Sequence, residues 1–162
     1  MTTVRHHGGW VIAISFIAAL MLTMMPLPEW ARAFRPQWVT MVLIYWCMAL
    51  PGRVGIGWGW VMGLLLDVTS GSVLGQNALS LALIAYVVTM LYQRLRLYPQ
   101  SQQAIIVALL IFLQLLLTLW VKGATGAAPD SWTYWLTGLS TALLWPWAFL
   151  LLRDLRRKFQ VT

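Results

Sequence analysis

Acidic residues are nearly absent from this sequence. Glu29, Asp67, Asp130 and Asp154 are the four, and they lie far apart along the chain. That scatter argues against the paired carboxylates of acid–base chemistry. Histidine is confined to His6 and His7 in the N-terminal tail. A metal centre is therefore not expected, and the serines of Ser70-Gly71-Ser72 have no base near them in sequence. No GxSxG, phosphate-loop or HExxH pattern occurs. Enzyme chemistry would need Asp67 to work with a basic partner such as Arg32 or Arg35. The chain thus reads as a non-enzyme, with no catalytic residue, cofactor or metal. Cys47 is the single cysteine, so an intramolecular disulfide is excluded and the redox compartment is left open.

Charge as a whole is scarce too. Only 9% of the residues are charged, against about 25% in ordinary soluble domains. In their place stand 60% hydrophobic residues and a mean hydropathy of +0.76. Several apolar runs approach or reach the roughly 20 residues that cross a bilayer. The expected fold is all-α and polytopic, one membrane domain over 1–162, with spans at about 10–25, 37–50, 54–66, 76–92, 102–121 and 132–152. The first run, with Arg5 before it and Ala31-Arg32-Ala33 after it, imitates a signal peptide. It is read as an uncleaved helix ended by Pro26-Leu27-Pro28. The second and third runs are short, separated only by Pro51-Gly52-Arg53. They are read as two short helices or as a hairpin that does not fully cross. The stretch 68–75 is a short loop or a re-entrant turn. Gln93 to Ser101 reads as a basic loop, and Gln114 is expected to hydrogen-bond a neighbouring helix. Trp132, Tyr134 and Trp135 resemble an interface belt. Pro146 predicts a kink near Leu144.

The formal charge of +7 does not imply nucleic acid, because the basic residues sit beside apolar runs. It implies orientation. With six spans and the N-terminus inside, eight of the eleven basic residues fall on the inner side: Arg5, Arg53, Arg94, Arg96, Arg153, Arg156, Arg157 and Lys158. Arg32, Arg35 and Lys122 fall outside. The positive-inside rule then places both termini in the cytoplasm.

The most distinctive stretch runs from Gly55 to Tyr86. Gly55, Gly59, Gly63, Asp67, Gly71 and Gly75 are spaced by four. On a helix, the first three share one stripe, along which another helix can come close, in the same chain or in a partner. Asp67 ends an apolar run, where it is either a functional carboxylate or a helix cap. Partner- or pocket-forming candidates are Gly55, Gly59, Gly63, Asp67, Ser70, Gly71, Gly75 and Asn77.

Several stretches, in order along the chain, resemble the bacterial rod shape-determining MreD family in its proteobacterial form. They are Phe34-Arg35-Pro36-Gln37-Trp38, Tyr45-Trp46, Ala49-Leu50-Pro51, Arg53-Val54, and Met62-Gly63 through Asp67. Ser70-Gly71-Ser72, Leu74-Gly75, Ala78-Leu79, Ala85-Tyr86, Leu144-Trp145-Pro146-Trp147, Phe149-Leu150-Leu151 and Arg153 complete the set. The resemblance implies an inner-membrane, non-enzymatic scaffold of the peptidoglycan elongation complex. It implies association with MreC, within a wider assembly of MreB, RodA and its partner transpeptidase. The family is also similar in architecture to the six-helix S-components of energy-coupling-factor transporters, an analogy that would add an outward-facing pocket near Asp67. The alternative is therefore an S-component-like transporter subunit that binds a small molecule or lipid.

Overall fold

The computed structural model describes residues 8–26, 28–32, 34–71, 73–126 and 135–160. His6, His7, Ser72, Asp130, Trp132 and Tyr134 lie outside them. The helices are α1 (Gly9–Met24), α2 (Glu29–Arg32), α3 (Trp38–Ala49), α4 (Ile56–Ser70), α5 (Gln76–Leu97), α6 (Gln100–Ala124) and α7 (Leu136–Lys158). No strand occurs among the described residues. Each of the six apolar runs becomes a helix, and α2 is one extra turn in the first loop. By length and composition, α5, α6 and α7 can cross a membrane, whereas α1, α3 and α4 are shorter apolar helices.

Helix α3 shows why a short helix belongs here. Its 12 residues extend about 18 Å, against a hydrocarbon thickness of about 30 Å. Every residue from Val39 to Ala49 except Val42 is buried. A helix that is apolar all round is a core helix. It packs against α1, α5 and α7, with lesser contacts to α4 and α6.

The outer helices invert the pattern of a soluble protein. On α6, Ile105, Leu109, Phe112, Leu113, Leu116 and Trp120 are exposed. Gln103, Gln114 and Thr118 are buried on its other face. An apolar surface of this kind is suited to lipid, with the polar groups paired inside. Thr40 Oγ1 donates to Gln114 Oε1 at 2.8 Å, joining α3 to α6 as expected of Gln114. Trp46 Nε1 donates to Ser15 Oγ at 2.9 Å, joining α3 to α1.

Several element ends differ from the sequence expectation. The third run continues as helix through Asp67 to Ser70, because Thr69 and Ser70 turn their hydroxyls back onto the Leu66 carbonyl. The basic stretch after residue 92 is helical to Leu97, its Gln, Arg and Leu being good helix formers. Only Tyr98 and Pro99 separate α5 from α6. The C-terminal Arg/Lys cluster is the last turn of α7, where positive charge suits the helix dipole. Helix α7 itself is continuous through Pro146.

The six longer helices alternate in direction. One end of the bundle gathers Thr23, Gln37, Ser70, Gln76, Lys122 and Thr137 around a common cavity. At the other end, Trp10 at the start of α1 meets Phe159 after α7, ring centroids 5.0 Å apart.

Candidate functional site

Among the described glycines, the closest approach of a neighbouring helix backbone lies between α4 and α5, at two positions of the glycine stripe. A Cβ on Gly59 would lie 2.7 Å from the Leu81 carbonyl oxygen. A Cβ on Gly63 would overlap the Ala78 backbone. The close approach at both positions is thus made by α5 of the same chain. Gly55 differs, because its added Cβ would meet only Thr89 Cγ2, at 4.0 Å. Beyond Asp67 the four-residue spacing changes its purpose. Gly71 (φ 69°) ends α4 and Gly75 (φ 98°) precedes α5, both in the left-handed region.

Asp67 is 1% exposed, at the corner these glycines create. Its Oδ2 accepts the Gly75 N–H at 2.8 Å, and its Oδ1 accepts the Asn77 N–H and the Asn77 Nδ2, each at 3.0 Å. The Ala78 N–H points at Oδ2 from 3.5 Å. The first N–H groups of a helix have no partner within it, and the positive end of its dipole attracts an anion. Asp67 supplies both needs from the neighbouring helix. Of the two roles the sequence allowed for this carboxylate, the geometry is that of a cap, on α5 rather than on its own helix.

The turn borders a cavity of about 470 Å³. Ser70 and Asn77 line it, together with Arg35, Gln37, Gln76, Gln114, Thr118, Lys122 and Thr137. Of the candidate residues, then, Asp67, Gly71, Gly75 and Asn77 form the turn. Ser70 and Asn77 reach the cavity. Gly59 and Gly63 are consumed by helix packing, and Gly55 stands apart. Among the described residues, no three of His, Cys, Asp or Glu gather in a way that could hold a metal ion.

Two further polar contacts escaped the sequence reading. Arg96, at the end of α5, donates from Nε to the Met48 carbonyl at 2.8 Å and from Nη2 to the Ala49 carbonyl at 2.6 Å. It thereby caps the C-terminus of α3, 47 residues back in sequence. Arg35 donates from Nη2 to the Met25 carbonyl at 2.8 Å, while its buried Nε has no acceptor. The sequence marks Arg35 by its place in Phe34-Arg35-Pro36-Gln37-Trp38, by its charge and as a possible partner of Asp67, but not for these contacts; nothing marks Arg96 beyond its charge.

Residues 4–155 match the family model described as rod shape-determining protein MreD. The chain is also 36% identical over 153 residues to the rod shape-determining protein MreD of Haemophilus influenzae, covering 94% of each chain. No solved structure matches it. A match of this extent and identity settles the family: the chain is a member of the MreD family of rod shape-determining proteins.

Proposed function

We propose that this chain is a non-enzymatic scaffold in the bacterial inner membrane, acting in rod shape determination within the complex that builds peptidoglycan during elongation. The family match over residues 4–155 carries the reading. The family is one of shape-determining proteins and not of known enzymes. In this reading all six longer helices lie in the bilayer, with both termini cytoplasmic. Support comes from charge: Arg53, Arg94, Arg96, Arg153, Arg156, Arg157 and Lys158 lie away from the cavity end. The positive-inside rule turns that end to the cytoplasm and the cavity outward.

The direct partner is MreC, and the wider assembly includes MreB, RodA and its partner transpeptidase. With Gly59 and Gly63 packed on α5, a partner helix has to use another face. The apolar groove formed by α1, α3 and α7 suits it. The groove is lined by Ala18, Ala19, Met41, Trp147, Ala148 and Leu152 and encloses about 230 Å³. Its alanines allow close approach of a transmembrane helix.

Gentle solubilisation, affinity capture of this chain and mass spectrometry of what remains bound test the reading. Stoichiometric MreC is expected. Capture of the intact chain without MreC would contradict it.

A further inference from the structure

The cavity at the outward end is built differently from the apolar groove. Arg35 and Lys122 line it, and no carboxylate does among the described residues. Asp67, at the turn that borders it, is buried and engaged by the amides at the start of α5. Those amides are therefore spent, and the Gln76 N–H is taken as well, by the Val73 carbonyl. The positive charge among the described lining residues is that of the Arg35 and Lys122 side chains and not of a helix end.

Three further observations point to a ligand. The Arg35 Nε is buried and has no acceptor, a costly state for a guanidinium N–H. Gln114, whose carbonyl accepts from Thr40, keeps two amide N–H donors, and it lines the same cavity. The volume, about 470 Å³, falls within the range of roughly 300–1,000 Å³ for small-molecule sites. Arginine's planar fork is suited to phosphate oxygens, and lysine adds a point charge.

We propose that this cavity is a binding site for a phosphate-type oxyanion, held by Arg35 and Lys122 with the amide of Gln114 as an additional donor. The phosphate belongs either to the headgroup of an anionic lipid or to a soluble phosphate. The site does not depend on the MreC reading, since the apolar groove is lined by other residues.

The test uses the full chain, stripped of lipid and placed in phosphatidylcholine nanodiscs. One arm titrates phosphatidylglycerol into the disc, and the other adds inorganic phosphate to the solution. Native mass spectrometry and the shift in melting temperature are read in both. Saturable binding of one phosphate per chain is expected in at least one arm. A response to lipid alone identifies a headgroup, and a response to inorganic phosphate a soluble ligand. Arg35→Gln should weaken binding by about tenfold, the value of one charge-assisted hydrogen bond. Arg157→Gln, at the opposite end, should leave it unchanged. If Arg35→Gln does not fold, Lys122→Gln carries the comparison. Saturable binding in neither arm, or equal affinity in the wild type and the cavity variant, would overturn the proposal. MreC capture from the same preparations reports on the partner separately.

Discussion

The two ends of α5 address the same physical problem with opposite charges. At its start, Asp67 of α4 takes up the orphan N–H groups of α5 itself. At its finish, Arg96 covers the orphan carbonyls of α3. The first charge is 1% exposed and sealed by a glycine-tight helix pair, whereas the second lies on an exposed residue beside the Tyr92 ring. Burial, more than charge, separates them. A buried cap cannot be replaced by water when its partner is removed, and an exposed cap can. The start of α5 should therefore be brittle and its finish tolerant.

The sharpest way to break that contrast is at Gly63. A Leu there drives side-chain atoms into the Ala78 backbone, and the Gly63→Leu chain should lose about 3 kcal/mol or fail to fold, as chemical denaturation in detergent would report. Gly55→Leu is the matched control and should be close to neutral. Removing the buried cap comes next. Asp67→Ala strands the Gly75 and Asn77 N–H groups and should cost about 2 kcal/mol in the same assay. Asp67→Asn keeps one acceptor oxygen and should cost less. A smaller effect is expected between helices: a double-mutant cycle of Thr40→Val and Gln114→Leu should give a coupling of about 0.6 kcal/mol. Smallest is the exposed cap. Arg96→Gln should cost about 0.5 kcal/mol. A loss from Arg96→Gln as large as that from Asp67→Ala would erase the distinction between the two ends.

The same contrast explains what the sequence could reveal. Helices α5, α6 and α7 follow from long apolar runs, and the glycine spacing marked a close helix approach before any partner was known. Asp67 stood out because ionisable residues beside apolar runs are rare. Helix ends were harder to read. Val68, Thr69 and Ser70 have the composition of a loop, yet two hydroxyls bonded back to Leu66 keep them helical. The Gln93-Arg94-Leu95-Arg96 stretch looked like a loop because it is charged, although charge alone does not end a helix. The cavity was least legible. Arg35, Asn77, Gln114 and Lys122 belong to separate segments, and only the alternating directions of the helices bring them together. Arg96 was hidden for a similar reason, since its acceptors lie 47 and 48 residues away.

The scaffold reading stands on whether the α1–α3–α7 groove receives a helix of MreC. Ala18 is exposed at its edge, so Ala18→Trp fills the groove without overpacking the core. The measurement is the amount of MreC captured with Ala18→Trp relative to the wild type, on protein whose melting temperature is unchanged. Loss of most of the MreC is the expected result. Full recovery of MreC with the groove filled would contradict it.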